Sequence, residues 1–75
     1  MNMPVYIFTF GINQKYKGNF QPIVANSFQE AEKLMFKHYG KDWAFGYTEK
    51  SFNASRHQGF FVDLKPLPII QKEAV

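Results

Sequence analysis

Ser27-Phe28-Gln29-Glu30-Ala31-Glu32-Lys33-Leu34-Met35-Phe36-Lys37-His38-Tyr39-Gly40 reads as one amphipathic helix with both of its ends encoded. Ser27 and Glu30 have capping-box spacing: the serine hydroxyl takes an orphan amide of the first turn, and the glutamate reaches back. Phe28, Ala31, Leu34, Met35, His38 and Tyr39 recur on one side at helical spacing. Lys33 and Lys37 fall opposite them, and Gly40 supplies the stop. Phe36 projects about 120° from the centre of the apolar side, at the helix margin or in solvent. His38 lies on the apolar side, where a packed, hydrogen-bonded imidazole is expected.

Upstream, Val5-Tyr6-Ile7-Phe8-Thr9-Phe10 is β-branched and aromatic and stops at Gly11, which is a strand pattern. Both of its alternating faces are apolar, so an interior strand is predicted. Gly11 to Gly18 is polar between glycines and reads as a loop. Phe20 to Ala25 should return beside the first strand. Pro22 lacks a ladder donor, so this second strand is placed at an edge or a bulge.

Downstream, Trp43-Ala44-Phe45-Gly46-Tyr47 alternates large and small residues, which predicts a strand with Trp43, Phe45 and Tyr47 on one face. Thr48 to Gln58 is polar apart from Phe52 and Ala54 and reads as a loop with at most one irregular turn. Gly59 to Leu64 is a shorter strand candidate. Pro66 and Pro68 stop regular structure. The expected fold is α+β: one domain over residues 1–65 and an extended tail over 66–75. Its sheet is small and antiparallel, with three to four strands in the order strand, strand, helix, strand and a further short strand. One helix covers one face of that sheet, and the rings of the other face are left for contact.

The composition narrows function by exclusion. Seventy-five residues form one domain whose small core leaves little stability to spare. Without cysteine there is no disulfide, no thiolate metal site and no cysteine nucleophile. No run approaches the roughly 20 apolar residues that span a bilayer. The start Met1-Asn2-Met3-Pro4 lacks the basic flank and apolar run of a secretory signal. A soluble, intracellular protein is expected. The net charge of +3 falls short of a nucleic-acid binder's basic stripe, and Arg56 is the sole arginine.

No pattern points to catalysis, a metal or a cofactor. His38 and His57 have no ligand spacing around them. Ser27 is committed to capping, and no nucleophile elbow surrounds Ser51 or Ser55. The five glycines make no phosphate-binding run. Phe45-Gly46-Tyr47 beside Val5-Tyr6-Ile7 resembles the aromatic strands of RNA-recognition motifs, but the order of elements differs and the basic residue opening the RNA-binding strand is missing. A non-enzymatic protein is therefore expected.

Tyr6-Ile7-Phe8-Thr9-Phe10-Gly11, the helix from Ala31 to Tyr39-Gly40, and Trp43-Ala44-Phe45-Gly46-Tyr47-Thr48-Glu49 together resemble a group of short proteins of bacteriophages and prophages of Gram-positive hosts. The likeness covers about residues 5–50. It implies anti-defence context, including inhibition of CRISPR nucleases, and carries no site residues with it. The expected function is binding and inhibition of a host protein, such as a defence nuclease. Fourteen aromatic residues supply candidate anchors. The predicted contact residues are Tyr16, Phe36, Tyr47 and Phe52, supported by Lys15 and Lys17. Direct nucleic-acid binding through the same rings and lysines is the alternative, as is a homodimer formed through the uncovered face.

Overall fold

The computed structural model describes residues 3–71. The reading of the start at Met1-Asn2 and the last four residues of the expected tail, 72–75, lie outside the described residues. The elements run β1 (Val5–Thr9), β2 (Asn19–Val24), α1 (Phe28–Tyr39), β3 (Phe45–Thr48), α2 (Glu49–His57), β4 (Lys65–Pro66) and β5 (Ile70–Gln71). The α+β class stands, but the sheet is mixed. β1 lies between β2 and β3 and is antiparallel to both, whereas β4 and β5 pair in parallel with the far side of β2. β1 is thus the interior strand that its two apolar faces predict.

The first helix forms where its periodicity places it. Ser27 Oγ accepts the Glu30 amide at 3.1 Å, and the Glu30 carboxylate accepts the Asn26 amide at 3.2 Å. Gly40 ends the helix with φ of 62°, a left-handed value that glycine adopts without strain. Ala31 and Met35 are fully buried against Phe8 and Ile23. Phe28 packs edge-on against Tyr6 at 5.6 Å and tilted against Phe8 at 5.6 Å. His38, expected inside, is exposed. It projects within about 20° of the buried Ala31, two turns earlier, so its exposure goes with its place in the last turn of the helix and not with the helical period.

The expectation of a single helix covering a single face is overturned. Residues 49–57, expected as loop, form α2, and α2 packs on the side of the sheet opposite α1. Tyr6 and Phe8 of β1, and Phe10 just after it, point into the α1-side core, while Val5 and Ile7 point into a second core with Phe20 and Phe52. The helix starts at Thr48, whose Oγ1 accepts the Ser51 amide at 3.1 Å, with Glu49 in the first turn and Arg56 and His57 in the last. It ends in a Schellman motif: the Phe60 amide donates to the Ser55 carbonyl and the Gly59 amide to the Arg56 carbonyl, both at 3.0 Å. Gly59 holds φ of 96°. Gly59→Ala is expected to cost about 1–2 kcal/mol for forcing a Cβ into that region. Gly18→Ala has open space around its Cβ and no such φ, and serves as a near-neutral control. Equal denaturation midpoints for the two variants would count against the motif.

The short strand expected at Gly59 to Leu64 is instead a run of turns. Once Gly59 has ended α2, Phe61 also takes a left-handed backbone, with φ of 61°, and breaks any extended run. Pro22 occupies no edge, since β2 is partnered on both sides. The missing donor is accommodated differently: the Ala25 amide meets the Pro4 carbonyl on the β1 side, and the Leu67 amide meets the Phe20 carbonyl on the tail side. Alternation then aims the Pro22 nitrogen at the tail, in the gap between the Phe20–Pro66 and Ile23–Ile70 pairs. No ladder donor is required there.

Gln21 closes this junction. It is buried, its Nε2 donates to the Pro22 and Pro68 carbonyls at 2.8 Å each, and its Oε1 accepts the Tyr39 hydroxyl. One amide thereby joins β2, α1 and the segment between β4 and β5, with Leu67 and Ile70 packed against the α1-side core. Burial raises the Tyr39 phenol above its ordinary value, with a smaller contribution from Tyr16.

Candidate partner-binding cleft

Trp43, Phe45 and Tyr47 do not share a face. Phe45 is registered opposite Thr9, yet the Ala44 amide also donates to the Thr9 carbonyl at 2.9 Å, so two residues oppose one. This is a β-bulge, and it rotates the chain between Trp43 and Phe45. Trp43 consequently joins the α1 side, edge-on to Phe8 at 5.2 Å and against Phe36 at 5.3 Å. Phe45 and Tyr47 point to the α2 side. Between them, Gly46 returns to the α1 side beneath Phe8 and Phe28.

α2 is too short to cover the whole of its face. Between the start of β3, the end of β1 and the 59–64 turns lies an open cleft of about 480 Å³. Phe45, Tyr47, Phe61, Val62 and Leu64 line it, and its charged lining residues are Lys17 and Asp63. Phe45 is 65% exposed and Val62 54%, and the neighbouring Phe60 is 60% exposed. All three are large apolar side chains that the fold leaves in water at or beside the cleft.

The wall of the cleft is an aromatic stack. Phe61 lies nearly parallel to Phe52 with ring centroids 5.1 Å apart, and Tyr47 sits 5.4 Å from Phe61 and 6.2 Å from Phe52. A left-handed backbone at a bulky residue costs roughly 1–3 kcal/mol and persists only where its surroundings hold it. The stack on Phe52 is what holds Phe61. The Leu64 amide donates to the Phe61 carbonyl at 3.2 Å and the Lys65 amide to the Gly18 carbonyl at 3.1 Å, which fixes the exit from the turns.

The predicted contact residues separate into three environments. Lys17 and Tyr47 line the cleft. Phe52 lies beneath it at 1% exposure and cannot meet a partner. It is the anchor of α2, and its expected exposure is corrected for that reason. Tyr16 and Phe36 belong to the α1 side: Tyr16 packs against Phe10 at 5.6 Å and Tyr39 at 5.5 Å, and Phe36 is 52% exposed against Trp43. Lys15 is exposed with its ammonium 5.3 Å from the centre of the Tyr16 ring. Phe45, Phe60 and Val62 escaped the sequence reading. The available signal was Gln58-Gly59 as a helix stop, which puts Phe60 to Leu64 in turns rather than in a strand.

Chemistry-bearing groups do not converge on the cleft. Among the described residues, no three His, Asp or Glu side chains are grouped to hold a metal ion, and both histidines are exposed. No described helix is long and apolar enough to cross a membrane. The Arg56 guanidinium lies over the Phe20 and Phe52 rings, 5.6 and 5.8 Å from their centres. No family model, curated protein or solved structure matches this chain.

Proposed function

We propose that this chain is a non-enzymatic binding domain that presents the cleft beside Phe45 and Val62 to a partner protein. The observation that carries this reading is the exposure of Phe45, Phe60 and Val62 around a concave aromatic surface. A domain with a small core gains from burying every large apolar residue, and apolar side chains left clustered at a concavity mark an interaction site. Rigid rings in a pocket are the usual energetic anchors of an interface. The resemblance to short phage proteins makes a host protein the partner class, with a defence nuclease as the leading example and inhibition as the consequence. The modest net charge of +3 and the single arginine favour this over a nucleic-acid reading.

The test is affinity capture from lysate of a Gram-positive host, comparing the native chain with Phe45→Lys/Val62→Asp. Both positions are more than half exposed, so unfolding midpoints should agree within about 0.5 kcal/mol. Proteins retained by the native chain should be lost by the variant. Retention of the same proteins by both would remove the cleft as the binding surface.

A further inference from the structure

We infer that the partner segment entering the cleft is acidic: an apolar side chain goes in beside Phe45, Tyr47 and Phe61, and a neighbouring carboxylate of the same segment pairs with the Arg56 guanidinium across Val62. This rests on the reading of the cleft as the binding surface and adds the chemistry of the partner. A second depression of about 420 Å³ adjoins the cleft, and Val62 lines both. Asn53, Arg56 and His57, all on α2, complete the lining of the second.

Arg56 is held in place but not satisfied. Its guanidinium lies over the Phe20 and Phe52 rings, and among the described residues no carboxylate, carbonyl or hydroxyl accepts from it. Ring faces attract the cation while leaving its N–H donors for an oxygen acceptor. Half-buried and braced by two rings, the group is preorganised for the bidentate grip of a guanidinium on a carboxylate. The chain supplies no such carboxylate nearby. Glu49, the one acid of α2, stands seven residues earlier, roughly 10 Å along the axis. Asp63 lines the cleft, where Lys17 offsets it, and not the second depression. An entering carboxylate is therefore directed past Val62 to Arg56, and an uncharged apolar side chain to the cleft.

Two adjoining depressions with unlike linings take neighbouring side chains of one peptide segment, whereas a small acid would fill only one of them. A second copy of this chain would bring a further net charge of +3 to the same surface and fits it less well. Phosphate is the other oxyanion a guanidinium grips, but a nucleic-acid strand carries one on every nucleotide. Here one depression suits an anion and the larger one suits a ring. A buried apolar anchor beside one oriented charge pair is the pattern of a protein interface.

The experiment selects linear peptides of about twelve residues from a random displayed library on the immobilised native chain. The best peptide is then synthesised in two forms, as selected and with every Asp and Glu replaced by Asn and Gln. Both forms are titrated against the native chain, Asn53→Glu, Arg56→Gln and Phe45→Ser/Val62→Ser. The expected result is an acid close in sequence to an apolar anchor, with the acidic form binding the native chain about tenfold or more tighter than the amide form. Asn53→Glu and Arg56→Gln should each erase that preference and leave the affinity of the amide form unchanged. Asn53 is exposed, so Asn53→Glu tests the site with Arg56 and its packing intact. Selectants without acids, or a preference that survives both substitutions, overturn the acidic contact; the cleft still stands if Phe45→Ser/Val62→Ser loses the peptides. Peptides that bind Phe45→Ser/Val62→Ser as tightly as the native chain overturn the cleft as well. Failure to enrich any peptide overturns the inference. So does displacement of the peptide by an oligothymidine of about twelve nucleotides, which would make nucleic acid the occupant.

Discussion

Phe52→Ala should unfold much of this domain, at a cost of about 3–5 kcal/mol. Phe52 is the sole fully buried side chain of α2 and meets Phe20 at 4.9 Å, Phe61 at 5.1 Å and Tyr47 at 6.2 Å. Removing the ring leaves a cavity between the helix and the sheet, releases the stack that holds the left-handed Phe61, and takes away a platform beneath Arg56. Phe61 cannot collapse into the space without moving the 59–64 turns. Stabilities of roughly 0.05–0.15 kcal/mol per residue put the whole domain near 4–11 kcal/mol, so the loss is of the same order as the total. Urea denaturation followed by Trp43 fluorescence and far-ultraviolet circular dichroism is the measurement. A loss under about 1 kcal/mol would mean that α2 is not packed on the sheet. Phe52→Ala should also abolish partner capture, but through folding, whereas Phe45→Lys/Val62→Asp should abolish it with the midpoint unchanged.

The second large effect is expected at Gly46. A Cβ there would stand 2.5 Å from Phe8 Cε2, 2.6 Å from Phe28 Cζ and 2.9 Å from Phe8 Cδ2. The Phe8 ring is completely buried in the α1-side core and has nowhere to go. Phe28 is half-buried at the start of α1 and can swing only by giving up its contact with Tyr6. Gly46→Ala should therefore cost about 1–3 kcal/mol through overpacking, and Gly46→Val more. Strand propensity alone predicts the opposite sign, since glycine weakens a strand. Phe28→Leu should recover part of the loss in a double-mutant cycle, because it removes one of the two clashing rings. A neutral or stabilising Gly46→Ala would show that the helix does not approach β3 this closely.

The first helix was legible because all of its signals are local. Ser27 and Glu30 cap it, Phe28, Ala31 and Met35 repeat at its period, and Gly40 stops it. The interior position of β1 was legible for a related reason: both alternating faces of Val5 to Phe10 are apolar, and only a strand covered on both sides can bury them. That same observation argued for a cover on the second face. The cover was missed because α2 carries one large apolar residue, too few for periodicity to register. Its remaining signals were the Thr48 cap, Glu49 in the first turn and Gly59 after the last.

The candidate site was less legible than the fold. Tyr47 and Lys17 were placed at the contact surface from sequence and do line the cleft, but Phe52 went to the core and Tyr16 and Phe36 to the other side of the sheet. Two backbone irregularities account for much of the difference. The bulge at Ala44 and Phe45 separates Trp43 from Phe45, and the left-handed Phe61 converts an apparent strand into the wall of a cleft. Side-chain type and spacing determine which residues of a regular element share a side. Where an element gains a residue or reverses its twist, and which distant segment then covers it, depends on hydrogen bonds and packing between parts of the chain far apart in sequence. Those choices belong to the tertiary structure.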